Sequence, residues 1–387
     1  MFAFEITNST PQAARCGKIT TAHGQLETPA FMPVGTAGAV KALTTAHLEE
    51  IGAQIVLSNT YHLFLRPGVE RLTELGGLHS LMDWSRPILT DSGGYQVLSL
   101  AARRKIEPDG VTFSSHLDGS KHKFTPARVL DIQRAIGSDL MMPLDICPSY
   151  DDSPEAVTRA TELTHTWAET ALANWQAEPE SAYGYGQTLY GIVQGGYTEA
   201  GRSQSAKFIG SLGFPGWAIG GLVTGEPKEL TWKLLAATIS ELPKTGPRYL
   251  MGVGTPADIV RAVMMGVDMF DCVLPTRNAR NGTVFTSTGP LQIKAARYAT
   301  DTQPMDPDCG CPVCQRHSRA YIRYLLNTHE ITGLILTTMH SVYFYLNHMA
   351  QIRDAIRAQT FTEWAGDFLS RYEQPTPALS TGKEVSA

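Results

Sequence analysis

Eight short apolar runs recur through the first two thirds of the chain, each closing on a polar or glycine-rich turn or on a carboxylate. They are Ala30-Phe-Met-Pro-Val34, Gln54-Ile-Val-Leu57, Pro87-Ile-Leu-Thr90, Leu140-Met-Met-Pro-Leu144, Leu189-Tyr-Gly-Ile-Val193, Trp217-Ala-Ile219, Tyr249-Leu-Met251 and Met269-Phe270. A run that is apolar without alternation suits a strand covered on both faces, as parallel sheets are. Helix-like stretches such as 156–177 and 228–242 separate several of them. The expected class is therefore α/β, and eight units predict a (β/α)8 TIM-type barrel.

Three of the six cysteines, Cys309, Cys311 and Cys314, form a C-x-C-x-x-C cluster. Loops that tight do not allow relaxed disulfides, whereas three thiolates can face one tetrahedral metal, most often zinc. Gly310 and Pro312 supply the turns. A fourth ligand is required; His317, His329, His340 and His348 are near, and His340 is favoured because His317 is too close in sequence. Four protein ligands leave no open position, so one structural zinc ion is expected per subunit. The cluster also fits a reducing cytosol better than a disulfide framework does, so the expected localisation is cytoplasmic.

Hairpins are expected at 103–123, with a turn at Asp118-Gly119, and at 281–294. The expected organisation is a barrel over 1–277 with small hairpin insertions, then a zinc-binding subdomain over 278–350. A C-terminal helix over 351–373 and a polar, Pro-bearing tail over 374–387, expected to be disordered, complete it. No apolar run approaches about 18 residues and no basic segment leads into an apolar one, so neither a membrane span nor a secretory signal is expected.

In a barrel the chemistry sits at the carboxyl ends of the strands, and those ends carry Asp91, Asp145, Gln194, Gly220, Gly221 and Asp271. Taken singly, each acid could be an ordinary turn or helix-capping residue. Together they suggest a site. Asp91-Ser92-Gly93-Gly94-Tyr95 reads as a turn that admits a planar ligand, with Tyr95 able to stack on it. Asp145 and Gln194 offer what a guanine-like base needs at its edge, and Gly220-Gly221 offers free amides for a carbonyl oxygen. Met251 could form a second stacking face or simply pack in the core. Asp271, ahead of Thr276-Arg277-Asn278-Ala279-Arg280, can attack a sugar's anomeric carbon, or can pair with Arg277 or Arg280.

The net charge of −5 argues against nonspecific coating of nucleic acid. Between 277 and 323, however, seven Lys and Arg residues face three acids, so a local phosphate-binding face is expected there. A noncatalytic nucleic-acid-binding subunit would be expected to lack Asp271 and its motif. A zinc hydrolase would need a His cluster at the strand ends, and they carry none.

Asp91-Ser-Gly-Gly-Tyr-Gln-Val, Gln194-Gly-Gly, Gly220-Gly-Leu, Phe270-Asp-Cys-Val-Leu-Pro-Thr-Arg-Asn-Ala-Arg280 and the Cys309/Cys311/Cys314/His340 set resemble the bacterial tRNA-guanine transglycosylases, over about residues 3–365. The resemblance implies a barrel with an inserted zinc subdomain, commonly a homodimer. It further implies exchange of the wobble guanine in tRNAs with a GUN anticodon for a 7-deazaguanine in queuosine biosynthesis. By position, Asp271 resembles the nucleophile and Asp91 the general acid/base. Asp145, Gln194 and Gly221 resemble the groups that read the base, between Tyr95 and Met251. Leu222 and Glu226 fall in the same pocket, Glu226 near the 7-substituent. Gly252, Val253, Gly254, Thr255, Pro256, Ala257 and Asp258, with Thr276 to Arg280, match segments that hold the RNA. Ile146-Cys147-Pro-Ser and Thr224 depart from the usual bacterial pattern in the pocket; the aminomethyl compound, the usual bacterial substrate, ranks first.

Overall fold

The computed structural model describes residues 2–100 and 104–372. Residue 103 and the expected tail at 374–387 lie outside the described residues.

Two parallel sheets form the centre. One has four strands in the order Thr188–Leu189, Leu140–Met141, Ile88–Thr90, Val56–Ser58; the other has five, in the order Gly191–Val193, Trp217–Ile219, Arg248–Leu250, Met269–Cys272, Ala30–Pro33. Residues 188–193 run from the first sheet into the second, and a parallel bridge between Val34 and Leu57 joins the sheets on the other side. Nearly every residue of these strands is buried, which is why they read as unbroken apolar runs. Ile192, Ala218, Tyr249 and Met269 pack in the middle with Met32, Leu57 and Leu140. A fully buried side chain of this size contributes about 1.5–3 kcal/mol.

The expected run 140–144 is strand only at Leu140–Met141. Pro143 has no N–H to give a ladder, and at Met142, just before it, the Gln133 carboxamide takes over. Its Oε1 accepts from the Met142 N–H at 3.1 Å and its Nε2 donates to the Met142 carbonyl at 2.9 Å.

Helices follow most strands and start where capping chemistry dictates. Ser153 accepts from the Ala156 N–H ahead of Pro154–Ala177, and Thr255 accepts from the Asp258 N–H ahead of Pro256–Met264, each with Pro at the first helical position. The expected hairpin at 103–123 is a three-stranded antiparallel sheet of Arg104–Glu107, Gly110–Ser114 and Lys121–Phe124. Another such sheet, Ala3–Ser9, Arg15–Thr21 and Gly24–Thr28, was not expected. It is fastened to the amino ends of the strands by Arg15, whose Nε and Nη2 donate to the buried Asp268 carboxylate at 2.9 and 2.7 Å. Removing one partner of a buried pair like this costs about 3–5 kcal/mol.

The hairpin Thr283–Thr286 with Gly289–Gln292 forms as expected. After it come the cysteines and two helices, Arg319–Asn327 and Ile331–Arg357. The second of these runs unbroken through residue 350, the expected subdomain edge. Its Tyr345 hydroxyl donates to the Gly254 carbonyl at 2.9 Å, its His348 Nε2 to Pro256 at 3.3 Å, and its Arg353 to Pro29 at 2.8 Å. A last helix spans Phe361–Tyr372. Among the described residues no helix is long and apolar enough to cross a membrane.

Candidate active site

Asp91 follows strand Ile88–Thr90 and is buried. Its Oδ1 accepts from the Thr60 N–H at 2.9 Å and the Gly93 N–H at 3.2 Å; its Oδ2 accepts from the side chains of Asn59 and of Gln96, the latter at 2.9 Å. Burial pushes its carboxyl up to about 6, and these four donors hold it from rising further. A carboxyl poised there exists in both protonation states near neutral pH.

Beside it, Ser92 donates to Asp145 Oδ1 at 2.8 Å and Gln194 Nε2 donates to Asp145 Oδ2 at 2.8 Å, so Ser92, Asp145 and Gln194 form one buried chain. Burial raises the Asp145 carboxyl as well, opposed by these hydrogen bonds. Gln194 Oε1 is buried without a partner, an acceptor still free beside the Gly220-Gly221 backbone. The glycines are required here. A Cβ on Gly220 would lie 2.6 Å from Gln194 Nε2, and one on Gly221, whose φ is +68°, would lie 2.4 Å from Gln194 Oε1. The expectation of two free amides needs correction: the Gly220 N–H donates to the Val193 carbonyl at 3.1 Å to continue the strand register. The Gly221 N–H has no acceptor among the described residues. Leu222 is buried, Tyr95 is 58 % exposed and Met251 is half-buried.

Glu226 accepts from the Val223 N–H at 2.6 Å, the Thr224 N–H at 2.9 Å and the Thr231 hydroxyl at 2.7 Å. Burial works to raise its carboxyl, but these donors prevail and hold it below the usual glutamate range.

Asp271 lies in the last parallel strand. Its Oδ1 accepts from the Tyr249 hydroxyl at 2.6 Å and the Gly252 N–H at 2.7 Å. Among the described residues it pairs with neither Arg277 nor Arg280, and nothing donates to Oδ2. With only neutral donors, burial dominates and raises its carboxyl. The Tyr249 phenol is pushed well up by its own burial, then by the charge of Asp271 and, more weakly, of Asp91. Both acids thus act on one ring.

Cys309, Cys311, Cys314 and His340 converge, with the three sulfurs 3.6, 3.5 and 3.3 Å from His340 Nδ1. Ligands at about 2.3 Å for sulfur and about 2.1 Å for nitrogen around a tetrahedral ion would be separated by about 3.6 Å. The imidazole is in the right tautomer. Its Nε2 lies 2.8 Å from the Phe285 carbonyl, which can only accept, so Nε2 carries the proton and Nδ1 turns a lone pair toward the sulfurs. These four residues could hold a metal ion.

The family model described as "Queuine tRNA-ribosyltransferase" matches residues 10–374. The chain belongs to this family. A queuine tRNA-ribosyltransferase from Moorella thermoacetica is 51% identical over 359 residues, covering 93% of this chain and 94% of that protein. One from Desulforapulum autotrophicum is 48% identical over 375 residues, 97% of this chain and 100% of the other. One from Halothermothrix orenii is 50% identical over 359 residues, 93% and 94%.

In this queuine tRNA-ribosyltransferase family member, the expected RNA segments are only partly accessible. Val253, Gly254, Pro256, Ala257, Asp258, Thr276 and Ala279 are buried, whereas Gly252 and Arg277 are exposed and Thr255, Asn278 and Arg280 are half-buried. Residues 274–281 form the helix Leu274–Asn281 with Pro275 in its first turn. Sequence reasoning missed Asn59, Gln96 and Tyr249 as partners of the two acids. It also missed Arg202, fully buried, whose Nη1 donates to the Gly220 carbonyl at 2.9 Å and so orients the Gly220-Gly221 peptide. A polar residue just past an apolar strand end, as Asn59 is, was the one signal available.

Proposed function

We propose that the chain exchanges the wobble guanine of tRNAs with a GUN anticodon for a 7-deazaguanine, foremost the 7-aminomethyl compound, in queuosine biosynthesis. It would do so as a cytoplasmic homodimer on a (β/α)8 barrel, closed through the Val34–Leu57 bridge and residues 188–193. The observation that carries the reading is the setting of Asp271: Oδ1 gripped by two neutral donors, no cation beside it, and Oδ2 left without a donor among the described residues. A carboxylate so held keeps a lone pair available to attack carbon.

Asp271 Oδ2 attacks C1′ of the flipped-out wobble ribose, and the C1′–N9 bond breaks with its electron pair passing to guanine. Asp91 gives the departing purine a proton. The incoming 7-deazaguanine returns one to Asp91 as its N9 attacks C1′, and the Asp271 carboxylate is released. A group near 6 suits this two-way transfer. Asp145, Gln194 and the Gly221 N–H read the edge of the base, with Tyr95 and Met251 at its faces. The anionic Glu226 lies toward the aminomethyl group. Gly252, Thr255, Arg277, Asn278 and Arg280 are the accessible groups for the RNA backbone. Zinc held by Cys309, Cys311, Cys314 and His340 would be fully coordinated by protein, so it would staple the structure and take no part in the exchange.

Incubation with unmodified tRNA and labelled guanine tests the reading: label enters the tRNA, and a covalent tRNA adduct is trapped on a denaturing gel. An adduct that persists in Asp271→Ala refutes the assignment.

A further inference from the structure

A second set of ligand-type side chains lies at the opposite, amino ends of the strands. His23 sits in the turn between strands Arg15–Thr21 and Gly24–Thr28, His79 on the helix Gly77–Met82, and Asp139 immediately before strand Leu140–Met141. Their candidate ligand atoms all lie within 4.8 Å of one another. His23 Nδ1 is 3.0 Å from Asp139 Oδ1 and His79 Nε2 is 3.2 Å from Asp139 Oδ2. The two imidazoles stack with centroids 3.6 Å apart and planes 20° from parallel, which holds their nitrogens on one side.

The cluster calls for a positive charge between His79 and Asp139, either a second proton on the ring or a metal ion. His79 Nδ1 is 2.8 Å from the Trp84 carbonyl, which can only accept, so Nδ1 carries the proton of the neutral ring. Nε2 then points a lone pair at a carboxylate oxygen. It is buried, on a side chain only 10% exposed, and makes no hydrogen bond. Asp139 is itself fully buried, its other donors are the His23 and Ile88 N–H groups, and among the described residues no Lys or Arg pairs with it. An anion facing an imidazole lone pair is costly unless a proton or a metal ion lies between them, and the nearby His23 nitrogen makes the second a three-ligand site.

We propose that His23, His79 and Asp139 bind a divalent zinc-type ion, separate from the Cys309/Cys311/Cys314/His340 site. Two imidazoles and a carboxylate suit such an ion, and the nitrogen–oxygen distances are a few tenths below the about 3.4 Å expected around tetrahedral zinc. His23, with 22% of its side chain exposed, gives the ion a way in from solvent and leaves a fourth position for water. To bind, His23 moves its proton from Nδ1 to Nε2. Because the site is at the far end of the strands from Asp91 and Asp271, its role is to pin the amino-terminal sheet against the core.

The test is zinc stoichiometry of the intact protein, dialysed against micromolar Zn2+, desalted and assayed by elemental analysis. Two zinc ions per chain are expected for the natural protein and one for His23→Gln and for His79→Gln, with guanine exchange unchanged. One ion per chain in the natural protein, or two in both variants, overturns the proposal. Anomalous diffraction at the zinc edge on the natural protein needs no variant to fold. A peak among His23 Nδ1, His79 Nε2 and Asp139 supports the site, and density there without one sinks it.

Discussion

Tyr249→Phe isolates the electrostatics of the proposed nucleophile, Asp271. The change removes one oxygen from a buried ring and leaves the packing intact, since Tyr249 is 1% exposed and lies among Ile192, Ala218 and Met269. What is lost is one of the two donors to Asp271 Oδ1, at 2.6 Å. A hydrogen bond to a charged acceptor contributes about 1.5–3 kcal/mol. At about 1.36 kcal/mol per unit, the Asp271 carboxyl rises by about 1 to 2 units in the variant. The phenol does not titrate in this range, being pushed far up by burial, so it donates throughout. The assay is single-turnover formation of the covalent tRNA adduct as a function of pH. Protonated Asp271 cannot attack carbon, so the acid limb moves to higher pH by about 1 to 2 units and the rate on that limb falls about tenfold to a hundredfold. At higher pH the Asp271 carboxylate is fully formed and less stabilised, hence no weaker a nucleophile, so the ratio of variant to natural rate returns to one even as both rates fall with deprotonation of Asp91. A uniform loss at every pH with the limb unmoved would refute the reasoning and leave Tyr249 a packing residue.

Incorporation of the incoming base falls as pH drops through about 6, because protonated Asp91 cannot accept its proton. In Asp91→Asn that titration disappears and exchange slows by roughly 10²–10⁴ with tRNA binding retained, as rate profiles and filter binding would show. Gly221→Ala sets a Cβ against Gln194 Oε1 at a φ of +68°, at a cost of about 1–3 kcal/mol, and raises KM for the base about tenfold or more; an unchanged KM counts against the role of Gln194. Chelation of the metal, or Cys311→Ala, lowers the melting temperature through loss of the ligand-linked stabilisation; an unchanged melt argues that the cluster does not staple the fold.

The strand positions were legible because a parallel strand covered on both faces leaves an unbroken apolar run, as at Ile88–Thr90 and Trp217–Ile219. The amino-terminal sheet was not, since Ala3–Ser9 is mostly exposed and carries no such run. The site divides in the same way. Asp91, Asp145, Gln194 and Asp271 announce themselves by ending apolar runs. Tyr249 looks like any core aromatic, and Arg202 like any helix-surface cation; their partners lie 22 and 18 residues away, and only the fold brings them together. The Gly220 amide was misjudged because nothing local says that the strand register continues one residue past Ile219.

The helix Ile331–Arg357 reaches both the sulfur cluster, through His340, and the segment after strand Arg248–Leu250, through Tyr345 on Gly254 and His348 on Pro256. Two residues before Gly254, the Gly252 amide steers Asp271. The helix is thus a strut between the sulfur cluster and Asp271. Loosening of the sulfur end would therefore be felt first as a misplaced carboxylate, some distance away, with the parallel strands still assembled.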